Sequence, residues 1–303
     1  MTSPPAFAAE RDVSVDGGKA PLYGTLLTGE VPRPGPAVLL IAGSGPTDRN
    51  GDSAFAGVKP ASLRLIAEGL AAKGITSLRY DKRGIGKSAP ALTAERDLRF
   101  STYVDDAVAF ARLLLSQPDV TCVILLGHSE GALIAPLAAQ NVRTCGVISV
   151  AGFSRPFGVL LRDQLRAGAL PSVSYEAADR NLTELEHGRE VPDVPATDPL
   201  FRPSVQPYLM SILALDPAAA IKAVPAPVLI LQGDTDLQVP VEDARRLVAA
   251  RPDATLVIMP GVNHVLKSAP IDRAANMATY ADDRPLAPNV MPQILAFVDK
   301  ARL

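Results

Sequence analysis

Gly127-His128-Ser129-Glu130-Gly131 is the stretch from which the rest of the sequence is interpreted. It follows the apolar run Val120–Leu126 and leads into Ala132–Ala135, which suits a helix. This order predicts a strand, a sharp turn and a helix, with Ser129 at the apex of the turn. A serine attacks a substrate only where it is exposed and a base can remove its proton, and flanking glycines permit so tight a turn. Average amino-acid usage yields the pattern in about one chain in eleven, so the surrounding sequence has to support it.

Outside this stretch, short apolar runs alternate with helical patterns. The first predicted elements form an antiparallel hairpin of Arg11–Val15 and Leu22–Leu27, joined through Asp16-Gly17-Gly18. Later strands are continuous apolar runs, typical of a parallel sheet with both faces covered; they are Ala37–Ala42, Ile75–Tyr80, Val120–Leu126, Val147–Ala151, Val228–Leu231 and Thr255–Met259. Helices are predicted between most of them, at Ala61–Ala72, Tyr103–Leu115, Glu130–Gln140 and Val241–Ala250. The alternation predicts an α/β protein with a mostly parallel, doubly wound sheet.

One interval interrupts the alternation of strands and helices. Between Phe153 and Val224 no strand-like run occurs, only helix-like stretches at Val159–Ala167, Tyr175–Glu186, Tyr208–Leu215 and Pro217–Val224. A helical segment of this length between two strands is expected to lie over one end of the sheet as a cap. The sequence therefore predicts a core of residues 1–152 and 225–303, with a helical cap inserted at residues 153–224.

The composition argues against several kinds of partner and cofactor. Lys and Arg number 30 and Asp and Glu 32 among the 303 residues, so the balanced charge predicts no nucleic-acid partner. No apolar run approaches about 18 residues, so no membrane span is expected. The three histidines lack the spacing of metal ligands, and we predict neither a metal nor another cofactor. Nothing in the sequence indicates an oligomeric state.

Two features bear on the cellular compartment. Cys122 and Cys145 are too few for a disulfide framework, so buried free thiols are the favoured interpretation, and a single bridge in an oxidising compartment is the alternative. Met1–Pro5 lacks the basic and apolar regions of a signal peptide, whereas Ala6–Ala9 resembles a cleavage site. We expect a cytoplasmic protein, with a periplasmic or secreted protein that has lost its signal peptide as the alternative.

A serine nucleophile needs an imidazole base and a carboxylate that orients it. Open α/β sheets bind ligands at the carboxyl ends of their strands, where only His264 is placed, since His128 is predicted to be a packing residue and His187 a surface residue. Asp236, at the end of another strand, is the preferred carboxylate. Asp234 is the competitor, but its position next to a glycine turn suits bonds to nearby backbone amides.

Taken together, these motifs resemble the α/β-hydrolase superfamily, and within it bacterial serine esterases with a helical cap. The resemblance covers nearly the whole chain from Arg11 and rests on five motifs: Ser-Gly-Pro-Thr-Asp-Arg-Asn-Gly at 44–51, Asp-Lys-Arg-Gly-Ile-Gly-Lys-Ser at 81–88, Gly-His-Ser-Glu-Gly at 127–131, Gly-Asp-Thr-Asp at 233–236 and Asn-His at 263–264. It implies a triad of Ser129, Asp236 and His264, and an oxyanion hole formed by the backbone amides of Ser44 and Glu130. Ala42 departs from the histidine that many members have there, so the loop after it is expected to be held differently.

The expected activity is cofactor-free hydrolysis of small-molecule carboxylic esters through an acyl-enzyme. Serine aminopeptidases or acyl-peptide hydrolases, thioesterases and acyltransferases share the same triad and stay open, as does a non-catalytic ligand-binding relative. The acyl and alcohol pockets are expected to come from side chains of the predicted cap, namely Phe157, Leu161, Tyr208, Met210 and Leu213.

Overall fold

The computed structural model describes residues 10–29, 34–53, 57–168 and 173–301. Met1–Pro5 and Ala6–Ala9, on which the expectation about the compartment rests, lie outside these ranges. Across the described part of the chain, no helix is both long enough and apolar enough to cross a bilayer.

Within the described residues, eight strands form one mixed, mostly parallel sheet in the order β1-β2-β4-β3-β5-β6-β7-β8. The predicted hairpin is confirmed, because β1 pairs antiparallel with β2. Strand β2 also pairs antiparallel with β4. All other pairs are parallel. The strands are β1 (Arg11–Val15), β2 (Leu22–Leu27), β3 (Gly35–Ile41), β4 (Ser77–Tyr80), β5 (Val120–His128), β6 (Gly146–Val150), β7 (Val228–Gly233) and β8 (Thr255–Met259).

Helices follow most strands, which confirms the α/β class predicted from the sequence. Those outside the predicted cap are α1 (Ser62–Ala71), α2 (Phe100–Leu115), α3 (Gly131–Ala138), α8 (Val241–Ala250), α9 (Arg273–Ala278) and α10 (Val290–Lys300). The helices between β6 and β7 are α4 (Phe157–Arg166), α5 (Tyr175–Glu186), α6 (Gln206–Leu213) and α7 (Pro217–Lys222).

Both faces of the sheet are apolar and covered, which explains the continuous apolar runs. Consecutive residues of a strand point to opposite faces of the sheet. On one face, Leu39 of β3 and Leu125 of β5 pack in a cluster with α2, α3 and α8; on the other, the next residues, Leu40 and Leu126, pack with α1 and α10. Helix α1 supplies its share through residues at helical spacing, Leu63, Ile66, Ala67 and Leu70, all of them buried. The central strands are therefore inaccessible, and chemistry is confined to their ends.

The interval between β6 and β7 is helical, as predicted. Helix α4 contacts α5 and α6, and α6 also reaches α2 of the core. Helix α7 contacts α3 and α8, the helices of the core layer. We retain the division of the chain at residues 153 and 224 as a prediction.

The two cysteines correct an expectation. Cys122 of β5 and Cys145, next to β6, form a disulfide with their Cα atoms 5.8 Å apart, and both residues are only partly buried. The favoured interpretation of two buried free thiols is therefore wrong, and the alternative of a single bridge is the one that the structure contains. The reason is the register of two neighbouring parallel strands, which the sequence does not display.

Candidate active site

Ser129 lies at the turn between β5 and α3, in a backbone conformation that residues other than glycine rarely adopt. Its φ is 55°, in the left-handed region, and its amide donates to the carbonyl of Val150 at 2.9 Å. Such strain is held only where the surrounding structure fixes it, and it is concentrated at functional sites. The turn presents the side chain of Ser129 at the carboxyl edge of the sheet.

The flanking glycines are required for the close approach of three backbone segments. A Cβ atom on Gly127 would lie 1.9 Å from the carbonyl oxygen of Gly131, and one on Gly131 would lie 2.4 Å from that of Ile41. No shift of a flexible side chain can relieve either clash, because the obstructing atoms belong to the backbone. The glycine pattern thus follows from the tightness of the turn itself at Gly127 and from packing against the end of β3 at Gly131.

His264 and Asp236, the predicted base and carboxylate, are in contact. Nδ1 of His264 and Oδ2 of Asp236 are 2.8 Å apart, and their side chains are only 6% and 1% exposed. Because Nδ1 binds the carboxylate, the free nitrogen of the imidazole is Nε2. Between described residues, no hydrogen bond joins the Ser129 hydroxyl to this ring; in catalytic sites such a bond often forms fully only when the substrate is bound.

Asp236 is held ionised by its surroundings. Burial opposes ionisation, but the charge and hydrogen bond of His264, together with the amides of Val239 and Gln238, outweigh it and lower the pKa of the carboxyl. The amide group of Gln232 also donates to Oδ2 at 3.1 Å. Asp234 instead accepts a bond from the amide of Gly261 at 2.7 Å, in agreement with the role predicted for it.

His128 packs directly against His264. Its Nε2 lies 2.7 Å from the carbonyl oxygen of His264, and the two rings are 4.8 Å apart between centroids. The predicted packing role is therefore supported, and its partner is the proposed base itself. His187 is exposed, and its Nδ1 lies 2.7 Å from the carbonyl oxygen of Thr183, as expected of a surface residue.

The glycine-rich loop after β3 passes close to the turn that carries Ser129. A Cβ atom on Gly43 would lie 3.2 Å from Cβ of Ser129 and 3.4 Å from Nδ1 of His128. In the part of the chain that the structure describes, the amides of Ser44 and Glu130 donate to no protein acceptor. Two unused N–H groups on either side of Ser129 are suited to bind an oxyanion.

A buried ion pair between Lys82 and Glu130 lies next to this loop. Nζ of Lys82 donates to Oε1 of Glu130 at 3.0 Å and to the carbonyl of Gly43, and the hydroxyl of Tyr208 donates to Oε2 of Glu130 at 2.7 Å. Lys82 belongs to the motif at residues 81–88, but no role of its own was predicted for it from the sequence. Its position just after β4 was the available signal.

Asp81 and Arg83, the neighbours of Lys82 in the chain, each form an ion pair with another segment. Arg49 binds Asp81 at 2.7 Å, and Arg83 binds Asp106 at 2.6 Å. Both pairs fix the loops at the carboxyl edge of the sheet.

The predicted pocket residues differ in how the structure places them. Tyr208 reaches the turn of the nucleophile, where its hydroxyl donates to Glu130 at 2.7 Å. Phe157 packs on Phe153 with ring centroids 5.8 Å apart. Leu161 is buried in the core cluster that also contains strand and α2 residues, and Met210 and Leu213 pack against that cluster.

Asn263, next to the proposed base, anchors the histidine loop and was not singled out by its own chemistry. Its amide donates to Asn276 at 3.1 Å and to Thr279 at 2.7 Å, and Asn276 in turn donates to the carbonyl of Thr235. Helix α9 therefore ties the loop of the base to the loop of the carboxylate.

Over the described ranges, no group of three or more His, Cys, Asp or Glu side chains is arranged to hold a metal ion.

Comparison with known proteins identifies the family. The family model described as serine aminopeptidase, S33, matches residues 61–268. The curated esterase EstD of Thermotoga maritima is 29% identical over 280 residues, which cover 88% of this chain and 64% of EstD. The chain thus spans less than two thirds of the length of that relative.

Solved structures show the same fold. Est1E from Butyrivibrio proteoclasticus, solved with ferulic acid bound, superposes with a TM-score of 0.62 at 20% identity, covering 95% of this chain and 99% of Est1E. The esterase Pf2001 of Pyrococcus furiosus gives a TM-score of 0.60 at 15% identity, covering 96% of this chain and 90% of the esterase. At these identities the likeness establishes the α/β-hydrolase fold alone.

Proposed function

This chain belongs to the serine aminopeptidase S33 family of α/β hydrolases, and on that basis we propose that it is a serine hydrolase of small-molecule carboxylic esters. Ser129 is the nucleophile, His264 the general base and Asp236 the carboxylate that orients the base. The observation that carries the proposal is the buried Asp236–His264 pair, 2.8 Å apart, at the same edge of the sheet as the strained turn of Ser129. The esterase relative EstD supports the choice of esters.

The proposed reaction has two halves. Nε2 of His264 removes the proton from Ser129 as its oxygen attacks the ester carbonyl, and the amides of Ser44 and Glu130 stabilise the resulting oxyanion. The protonated imidazole then gives its proton to the departing alcohol, which leaves an acyl-serine. In the second half, His264 activates a water molecule, which releases the acid and restores the serine.

Replacement of the nucleophile tests the mechanism. We expect Ser129→Ala to lower kcat for nitrophenyl esters by about 10⁶-fold, and Asp236→Ala to lower it by about 10⁴-fold. A fluorophosphonate probe should label the wild type at Ser129. His187→Ala is the matched control, because this histidine is exposed and outside the proposed site, and it should retain full activity.

Three outcomes are informative. Most of the hydrolysis surviving in Ser129→Ala would exclude Ser129 as the nucleophile. Failure of the wild type to react with the probe would indicate a non-catalytic ligand-binding relative. Unchanged activity in Asp236→Ala would exclude the orienting role of the carboxylate.

Aminopeptidase activity is the second candidate, favoured by the description of the family itself. The same triad also serves acyl-peptide hydrolases, thioesterases and acyltransferases. Nitrophenyl esters of increasing chain length, aminoacyl nitroanilides and acyl thioesters should be compared by kcat/KM. A clear preference for an aminoacyl amide would replace the esterase proposal.

The substrate pockets and the compartment are proposals of the same kind. Phe157, Leu161, Met210 and Leu213 are proposed to shape the acyl and alcohol pockets, since these apolar side chains of α4 and α6 belong to or pack against the core cluster that also includes α3. The Cys122–Cys145 bridge favours a periplasmic or secreted protein over a cytoplasmic one, because disulfides persist in oxidising compartments.

A further inference from the structure

A buried charged network joins the two peptide groups proposed as oxyanion donors. The side chain of Lys82 is 1% exposed, and its ammonium binds the carbonyl oxygen of Gly43 at 2.5 Å and Oε1 of Glu130 at 3.0 Å. The ammonium also lies 4.9 Å from the centroid of the Tyr103 ring. The hydroxyl of Tyr208 completes the network on Oε2 of Glu130 at 2.7 Å.

The contact with Gly43 acts on the first proposed donor. The carbonyl of Gly43 and the N–H of Ser44 belong to one peptide group, which is planar and trans, as are all peptide bonds in the described residues. In a trans peptide the C=O and N–H bonds point in opposite directions. An ammonium that holds the oxygen therefore sets the direction of the N–H, and by polarising the group it also strengthens the N–H as a donor.

The contact with Glu130 acts on the second proposed donor. Glu130 follows Ser129 directly, and its own amide is the other N–H of the proposed oxyanion hole. Its carboxylate accepts from Lys82 and from Tyr208, so both oxygens are held. One ammonium is thus connected to both donors, one through a carbonyl and one through a side chain.

Packing alone does not account for a lysine at this position. An ammonium loses its hydration when buried, and this cost is offset only by close ionic and hydrogen-bond partners. The partners of Lys82 are the carbonyl of Gly43 and the carboxylate of Glu130. They belong to the two segments whose amides have to be held in a fixed relative position for an oxyanion to be bound.

We propose that Lys82, held by Glu130 and Tyr208, is a positioning residue that orients the amides of Ser44 and Glu130 as oxyanion donors. The proposal rests on the proposed function, in which those amides stabilise the tetrahedral intermediate. Because Tyr208 belongs to α6, the network also makes the alignment of the donors depend on the packing of the helices between β6 and β7.

The principal test is the double variant Lys82→Met/Glu130→Gln, which removes both charges and leaves no unpaired ion in the interior. We expect kcat to fall by at least about tenfold. The upper bound is a fall of about 10²- to 10³-fold, which is the effect of removing one oxyanion donor entirely. KM should stay within about twofold, since binding of the ester precedes formation of the oxyanion. Affinity for a trifluoromethyl ketone, which forms an oxyanion on Ser129, should fall in parallel with kcat/KM.

A milder variant keeps both charges. Tyr208→Phe removes one hydroxyl, and we expect kcat and the ketone affinity to fall about threefold to tenfold. Tyr80→Phe is the matched control, because the hydroxyl of Tyr80 is buried and has no partner among the described residues. That control should leave both quantities unchanged.

The outcomes separate this inference from the proposed function. If the wild type neither hydrolyses esters nor reacts with a fluorophosphonate, the proposed function is wrong. If the wild type does both, unchanged kcat and ketone affinity in the folded double variant would overturn the role of Lys82. Should the double variant fail to fold, Tyr208→Phe decides, and equal values for Tyr208→Phe and Tyr80→Phe would overturn the inference.

Discussion

The neutral form of His128 is what allows it to lie against the proposed base. Burial, followed by the charge of His264, lowers the pKa of His128 to about 4. A neutral ring can pack on His264 without repelling the imidazolium that forms when Ser129 loses its proton. The residue before the nucleophile therefore contributes an uncharged surface as well as a hydrogen bond to the carbonyl of His264.

This shift predicts a specific dependence of stability on pH. The folded pKa of about 4 lies below the ordinary 6.5, so between these values the unfolded chain binds a proton that the folded protein does not. The contribution is present above pH 6.5 and is lost as the pH falls through 4, by about 3 kcal/mol in total. Urea unfolding at pH 7, 6, 5 and 4 should show a shallower decline for His128→Asn. The same decline in both proteins would contradict the assignment.

The segment from β5 through α3 to β6 is closed covalently as well as packed. The Cys122–Cys145 bridge spans 23 residues, and the loop it closes contains Ser129 and the whole of α3. Closing a loop of this length restricts the unfolded chain more than the folded one. The strained turn of Ser129 is thus part of a short cross-linked unit.

Reduction of the bridge should destabilise the protein without altering its fold. We expect the free energy of unfolding to fall by about 2 to 4 kcal/mol on reduction, and by a similar amount in Cys122→Ser/Cys145→Ser. Denaturant titrations with and without dithiothreitol measure the effect, and the double variant is the control that should not respond to the reductant. A wild type that titrates as two free thiols under non-reducing conditions would disprove the bridge.

Across the molecule, Arg49 joins segments that are distant in sequence. It is 7% exposed, and its guanidinium binds Asp81 after β4 at 2.7 Å, Thr25 of β2 at 2.8 Å and Asp12 of β1 at 3.2 Å. Its own position is in the glycine-rich loop that carries Ser44. The antiparallel edge of the sheet and the proposed oxyanion loop are therefore held by one side chain.

Loss of this arginine should weaken the whole protein. We expect Arg49→Met to lower the free energy of unfolding by about 3 to 5 kcal/mol, because it leaves the buried carboxylate of Asp81 without its cation. Arg49→Met/Asp81→Asn should recover part of that loss, since no charge is then stranded. Urea unfolding compares the two variants. Equal stabilities for the wild type and Arg49→Met would contradict the structural role of Arg49.

Local patterns were sufficient for the elements and for the identity of the triad candidates. Apolar runs predict strands because the side chains of these strands pack on both faces of the sheet, and the strand ends then select Ser129, Asp236 and His264. Some predicted element ends differ from the observed ones. Helix α3 stops at Ala138 where Gln140 was predicted, and α2 starts at Phe100 where Tyr103 was predicted. Such differences concern only the first and last turns, where local preference is weakest.

Contacts between distant segments were beyond the reach of those patterns. The sulfur bridge depends on the register of β5 and β6, and the network of Lys82 joins residues 39 positions away at Gly43 and 48 positions away at Glu130. No periodicity or motif records which loops meet at the edge of a sheet. The sequence specifies the kind of chemistry because reactive residue types follow recognisable strands, whereas the partners that hold those residues in place are chosen only when the chain packs.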